Sequence, residues 1–510
     1  MSSWQLRGLC NDRGRRRMRI MFRASLCATL GVMMTWTAAA LGQVPPQQAQ
    51  ALEQANRQLQ LQQFEQDTRE RANPDIPPGQ RLFFDYGGYV SFDYLSLDDA
   101  SHHNHGLREY QLVGYVRANL DSAQEIFIRG RTQYNDYNAG DSFDGFGSRL
   151  IDPDLDRAYY RLDLQKAQAA YGKGAGSLKV VVEAGRDLDY WANGLVLTET
   201  LDGGRVTVGS GPFELEFIAG ITPTRTVDID TSRPAFAFDT RRVFYGGMFT
   251  VDLGAHHPFV YLLEQRDENN KNFSLIGIVP TRYQYDSYYI GAGSEGDFGD
   301  RLKYGVEATS EGGHTESSSF SNASGGLFPV TQTVNPIQSW ALSGRLDYLT
   351  EGTHQFRVTG EVILASGDHR RGTSTNTFNG SAPHTNDNGF NAFGLLNTGL
   401  AFAPEVSNLM VGRLGASLSP LPETSAFKRL QVGADFFVFG KFLKFAPIDE
   451  PTGNERFLGV EPDLYLNWQI SSDVTLALRY GIFCPNRDAF GSGTAGEVRQ
   501  FFFGGLTFAF

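Results

Sequence analysis

Val498-Arg-Gln-Phe-Phe-Phe-Gly-Gly-Leu-Thr-Phe-Ala-Phe510 ends the sequence. Counted back from the terminal carboxylate, Phe510, Phe508, Leu506, Gly504 and Phe502 fall on one face at the two-residue period of a strand. An aromatic strand left open at a chain end would pair with other chains. A transmembrane β-barrel removes that hazard by closing the last strand on the first, because hydrocarbon leaves no water to satisfy a free edge. The bland reading is an ordinary last strand of a soluble β-domain. The remaining 497 residues separate the two.

Composition favours the barrel. A chain of 510 residues would by default divide into several soluble domains. Here 57 Gly, 38 Phe and 21 Tyr, with 13% aromatic residues, accompany a mean hydropathy of only −0.30. Beyond the N-terminal segment no run of about 18 uninterrupted apolar residues occurs, which excludes helical membrane spans. An aromatic-rich yet hydrophilic chain suits a barrel, in which only alternate residues touch lipid.

Residues 1–42 read as an export signal. They carry seven Arg and one Asp, a basic n-region from Arg13 to Arg23, a short apolar stretch from Ala24 to Ala40, and small residues near Gly42. Their net of +6 leaves −18 on the remainder instead of the −12 of the whole chain. That acidity argues against nucleic acid as a partner. Cys10 and Cys27 lie in the leader, so Cys484 stands alone and can form neither an internal disulfide nor a cysteine-rich metal site. Residues 43–82 are Gln-rich, with Pro45-Pro46 and Pro77-Pro78 near the ends and a weak helical seam at Leu52, Ala55 and Leu59. They predict a flexible or partly helical periplasmic extension ahead of a barrel over 83–510.

From Tyr89 onward, polar and apolar positions alternate in segments of about ten residues, the length of a tilted membrane strand. Val90, Phe92 and Tyr94 oppose Ser91 and Asp93; Ile126 and Ile128 oppose Phe127, Arg129 and Arg131; Ala158, Tyr160 and Leu162 oppose Arg157, Tyr159 and Arg161. About eighteen such segments can be counted, ending with Val498–Phe510. Short links such as Asp121-Ser122-Ala123, Ser210-Gly211-Pro212 and Ser471-Ser472-Asp473 alternate with long ones at 135–153, 221–242, 266–284, 311–337 and 366–407. This is the parity of short periplasmic turns and long extracellular loops. A propeller or solenoid would repeat its loops by blade or coil. The fold expected is an all-β transmembrane antiparallel barrel in the cell outer membrane, surrounded by outer-membrane lipid.

Residues opposite the lipid-facing aliphatics should line an aqueous lumen. Arg129, Arg131, Arg157, Arg161, Arg186, Arg205, Arg345, Arg357, Arg413 and Arg479 are on that list, with Asp163, Glu183, Glu307, Glu361 and Asp435. The plain reading is a wall of salt-bridged ladders. The sharper one is an electropositive stripe on the third to sixth strands, since guanidinium binds carboxylate in a forked geometry.

One block is more specific. Val182-Glu-Ala-Gly-Arg186 is followed by Tyr190-Trp191-Ala-Asn-Gly-Leu195 and Leu201-Asp-Gly-Gly-Arg-Val206. With Glu361, Ala365-Ser-Gly-Asp368 and Tyr480-Gly-Ile-Phe483, this succession resembles the alginate-export porins of Gram-negative outer membranes. The likeness runs from about Phe83 to Phe510. It implies an eighteen-stranded barrel with an arginine-lined conduit passing an anionic polysaccharide or oligosaccharide by diffusion. Its candidate contacts are Arg129, Arg131, Arg161, Arg186, Asp202, Arg205 and Glu361. The final Phe likewise resembles the signal read by the barrel-assembly machinery. A mature charge of −18 departs from a simple anion-attracting surface, with acidic clusters at Asp152, Asp154, Asp156 and Asp267-Glu268.

Two other readings compete. A general or neutral-sugar porin would use Tyr134, Tyr159, Tyr190 and Trp191 as stacking surfaces. An adhesin or barrel enzyme would place its working surface on the loops at 311–337 and 366–407. No enzymatic activity and no cofactor are expected: no Ser/His/acid set stands out, and Gly291-Ala-Gly-Ser-Glu-Gly296 lacks the strand-loop-helix setting of a phosphate cradle. Ser101-His-His-Asn-His105 reads as a solvated loop tip, and no metal is expected there.

Overall fold

A computed structural model describes residues 54–55, 57–61 and 82–510, apart from 143–144, 173–175, 270–271, 324–325 and 375–376. The expected export signal and most of the Gln-rich segment lie outside the described residues. Val, Ile, Phe and Tyr recur at the alternate positions that a pleated, half-buried surface favours, and the segments carrying them form one eighteen-stranded sheet. Its strands are β1 (Leu82–Asp98), β2 (Asn104–Leu120), β3 (Gln124–Tyr137), β4 (Arg149–Asp163), β5 (Leu178–Tyr190) and β6 (Thr198–Ser210). Then come β7 (Phe213–Ile221), β8 (Arg242–Val251), β9 (His256–Asp267), β10 (Tyr285–Phe298), β11 (Leu302–Glu316) and β12 (Val334–Leu349). The set ends with β13 (Arg357–Ala365), β14 (Leu409–Leu418), β15 (Leu430–Lys441), β16 (Phe457–Gln469), β17 (Val474–Pro485) and β18 (Arg499–Ala509).

Each strand pairs antiparallel with its sequence neighbours, and β18 returns to β1. The closing register runs from Tyr89 opposite Ala509 to Leu97 opposite Phe501. The terminal residue completes it: Gly88 N–H donates to the Phe510 carbonyl at 3.0 Å and Phe510 N–H to that of Gly88 at 2.9 Å. Gly88 is required there. A Cβ would lie 2.3 Å from the Val113 carbonyl oxygen and 2.9 Å from the Phe510 ring. No edge remains, which is the condition for crossing hydrocarbon.

Exposure separates the two faces. Ile126 and Ile128 are 49% and 46% exposed, whereas Phe127 and Arg129 on the same strand are 3% and 5%. Exposed Phe217, Leu262, Ile290, Val362, Leu414 and Phe508 continue the outer apolar surface around the ring. Leu82, the tight turns and Phe510 share one rim, which the shortness of its turns marks as periplasmic. At one of these turns Asp121 and Ser122 both take positive φ, 55° and 58°, and Ala123 N–H donates to the Leu120 carbonyl. That is the type I′ geometry that matches strand twist. The longer periplasmic link after β4 begins as helix α1 (Leu164–Ala170), whose first turn Asp163 caps by accepting from Lys166 N–H.

The wall is uneven between β4 and β5. Only six pairs join them, from Ala158 opposite Arg186 to Asp163 opposite Val181, so Arg149–Arg157 have no ladder partner on that side. By contrast, thirteen pairs join β5 to β6.

Candidate functional site

The lumen is divided. The link between β13 and β14, residues 366–408, turns inward instead of standing above the barrel. Phe390, Phe393, Leu400, Ala401 and Phe402 are buried against inward wall residues. Phe402 stacks on Phe483 with centroids 4.2 Å apart, and Phe393 meets Phe244 edge-on at 5.5 Å. The β5–β6 link folds in beside it, carrying the fully buried Trp191.

Burying loop backbone strands its polar groups unless partners meet them. Three wall carboxylates do so. Glu461 accepts the N–H groups of Leu400, Ala401 and Phe402 at 2.5, 2.7 and 2.9 Å. Glu311 accepts Asn391 N–H at 3.0 Å and the Tyr285 hydroxyl at 2.5 Å. Glu307 accepts Asn193 N–H at 3.0 Å and the Tyr261 hydroxyl at 2.6 Å. Arg371 and Asp387 tie the β13–β14 link to itself, and Thr377 ties it to Asp230 of the β7–β8 link.

Residues 54, 55 and 57–61 lie on the same partition. Gln58, buried, donates to the Gly399 carbonyl at 2.9 Å, Gln54 to that of Ala401 at 2.7 Å and Arg57 to that of Ala403 at 3.1 Å. The sequence predicted a periplasmic extension here. These residues instead sit inside the barrel, because the inward loop presents carbonyls that Gln and Arg side chains can satisfy.

Two cavities flank the partition, with Thr198 and Leu395 lining both. The larger, about 1030 Å³, reaches the Gly254-Ala255 turn at the periplasmic rim and is lined by Arg345, Asp347, Arg357, Glu361, Arg413 and Asp435. The other, about 520 Å³, lies toward the extracellular rim and holds Arg129, Arg131, Asp156 and Arg157, with Phe146 and Phe238 from the outer links.

Most predicted contacts are already paired. Arg129 meets Asp156 at 2.8 Å, and Arg157 pairs with Asp187. Arg205 reaches Asp189 at 2.5 Å and Glu216 at 3.5 Å. Glu361 accepts from Arg413 at 2.9 Å, and Arg413 also holds Asp435 at 3.0 Å. The expected stripe on β3 to β6 is therefore largely neutralised. Arg131 and Arg161 differ: neither makes an ion pair among the described residues. Arg131 lines the outer cavity, and the exposed Arg161 stands in register between Glu125 and Glu183. In the inner cavity, Arg345 and Arg357 share the single carboxylate Asp347 at 2.9 and 2.8 Å.

Arg186 and Asp202 are brought together, at 2.5 and 2.8 Å, but not where expected. One row of register partners runs Ile128, Ala158, Arg186, Asp202, Ile221 and Val243. That row is the outward one, so neither residue stands on the lumen face. Where β4 leaves β5, the Arg186 guanidinium turns into the opening, donates to the Leu155 carbonyl at 2.7 Å and so borders the outer cavity.

The aromatics proposed for stacking are dispersed. Tyr134 is on the outer face opposite Tyr110, Trp191 is sealed from solvent, and Tyr159 donates to Glu125 at 2.9 Å. Tyr190 alone of the four lines the inner cavity. Sequence reasoning missed the anchoring role of Glu307, Glu311 and Glu461. Each stands at an inward phase, which alternation reveals, but their partners lie about 60 to 114 residues away.

An apolar belt outside, a closed wall and charge-lined cavities within define an outer-membrane β-barrel channel. The sequence profile of the alginate export family matches residues 93–492, and the chain belongs to that family. No curated protein matches the chain. Among solved structures it is similar to OccK11 (OpdR) of Pseudomonas aeruginosa, at 11% identity and TM-score 0.47, covering 84% of this chain and 95% of that one. It is also similar to OccAB1 of Acinetobacter baumannii, at 11% and 0.47 over 84% and 96%. The outer membrane protein OpdK of Pseudomonas aeruginosa gives 8% and 0.45 over 84% and 99%. At these values the likenesses add nothing to the fold already fixed by the registers.

Proposed function

We propose that this channel passes an anionic polysaccharide or oligosaccharide, alginate-like in bearing a carboxylate on each sugar. The reading rests chiefly on guanidinium groups with no carboxylate of their own: among the described residues Arg131 and Arg161 make no ion pair, and Arg345 and Arg357 share Asp347. Such a guanidinium can exchange one substrate carboxylate for the next without first breaking a buried wall pair. Paired arginines such as Arg129 and Arg205 then hold the wall in shape around the path. Low-dielectric walls would strengthen the local field of those cations. Passage is passive and needs no covalent step.

Movement of cargo through the middle requires the partition of residues 54, 55, 57–61 and 390–402 to shift. Its carboxylate anchors make it a gate held by hydrogen bonds to backbone. Planar-bilayer recordings test the proposal. Polyuronate added to one side should block the current, and the block should weaken at least tenfold in the Arg131→Glu, Arg161→Glu double variant. Block equal to wild type in that variant would remove these arginines from the path.

A further inference from the structure

The β1–β2 link carries His102 and His103, and β2 begins with Asn104 and His105. Sequence spacing left these histidines as an isolated tip. The fold brings a carboxylate to them from 36 residues away: Asp141, in the β3–β4 link, accepts from or shares a proton with His105 Nδ1 at 2.5 Å. His103 Nε2 lies 3.5 Å from the same Asp141 oxygen, and the three donor atoms are all within 4.8 Å of one another.

We propose that His103, His105 and Asp141 form a transition-metal site of the Zn²⁺ class at the extracellular rim. Two imidazole nitrogens and one carboxylate oxygen suit Zn²⁺ or its neighbours Ni²⁺ and Cu²⁺, whereas Ca²⁺ and Mg²⁺ prefer all-oxygen sets. Donors about 2.0–2.2 Å from a tetrahedral ion stand roughly 3.3 Å apart. The His103–Asp141 separation already meets that spacing, and the His105–Asp141 pair reaches it by a small opening.

The surroundings favour a metal over a mere tip. His105 is almost fully buried, and its other nitrogen, Nε2, lies 3.2 Å from Asp99 Oδ2. Asp99 is fixed in turn by Ser101 and His103 N–H groups, each at 2.8 Å. A carboxylate on the far nitrogen favours the tautomer protonated at Nε2, in which a metal ion would replace the proton now shared between Nδ1 and Asp141, the arrangement by which outer partners orient metal-binding histidines. Three protein ligands leave a fourth position for water or an external carboxylate. Bound metal would fasten the β1–β2 link to the β3–β4 link beside the outer cavity.

The test uses the full chain in detergent, without a polyhistidine tag and stripped by chelator. Calorimetric titration with ZnCl₂ should show one saturable equivalent, and CaCl₂ none. Affinity should fall by at least about tenfold in His103→Ala and in Asp141→Asn, and by about 10–100-fold in Asp99→Asn. His103 is exposed, so its truncation leaves the fold intact, checked by heat-modifiable migration. Absence of saturable Zn²⁺ binding, or binding unchanged by His103→Ala and Asp141→Asn, would overturn the site and leave His105 a protonated strut between two carboxylates.

Discussion

Among the arginines of β3 and β4, pairing and not position decides what each can do. Arg129 is nearly buried against Asp156, and removing one member of a buried pair strands the other charge. Arg129→Ala should therefore destabilise the barrel by about 3 kcal/mol in urea unfolding from vesicles. Arg161→Ala, at an exposed cation that makes no ion pair among the described residues, should cost under about 0.5 kcal/mol in the same measurement. Equal losses at the two positions would contradict the division into wall and path. Alternation sufficed to place Arg129, Arg161 and Arg205 indoors, because the pleat fixes a period of two. It could not supply their partners, which depend on register and on the shifts next to Arg129 and Arg131. Arg186 marks the limit, since its inward assignment broke the phase already set by Val182 and Ala184 on the same strand.

At the scale of elements, β18 and the inward loop carry the account. The C-terminal strand was legible to the last residue because its aromatic phase and final position are both local properties. A Val at position 88 would meet the Val113 carbonyl and the Phe510 ring. Gly88→Val should lower the folded, heat-modifiable fraction severalfold, while assembly equal to wild type would contradict the closure described. Residues 366–408 were legible only as a long link. Their inward course depends on Glu461, Glu311 and aromatic partners distant in sequence, which period and composition do not encode. Glu461→Ala would free three buried N–H groups, each costing about 1–3 kcal/mol when unpaired. The expected result is more frequent or larger single-channel openings; an unchanged record would exclude this clamp as a gate.

A second clamp responds to pH. In the link at 222–241, burial alone would raise the Asp228 carboxyl, but Arg242 and Arg233 outweigh it and hold it below the usual carboxylate range. A depressed folded value means that its stabilisation is complete above the ordinary Asp range, near pH 4, and is lost as pH falls through the folded value. Hydrogen exchange over 226–242 should thus stay slow at pH 5 and quicken only in stronger acid. Quickening already between pH 6 and 5 would contradict the ion pairs.

For the whole molecule, the closed cylinder follows from solvent physics: apolar groups face lipid, backbone groups satisfy one another, and charge is concentrated in the interior and at the rims, with the Arg186–Asp202 pair at the β4–β5 opening. The acidity of the chain is compatible with the proposed anionic cargo because many carboxylates are engaged in wall pairs and in the loop anchors. The most direct test of the central claim is single-channel recording in asymmetric KCl, on the wild-type chain and on the double Arg131→Glu, Arg161→Glu variant, with and without polyuronate. Anion-preferring reversal potentials, with a current that polyuronate blocks and the double Arg131→Glu, Arg161→Glu variant relieves, are the predicted result. A cation-preferring current indifferent to polyuronate would contradict it.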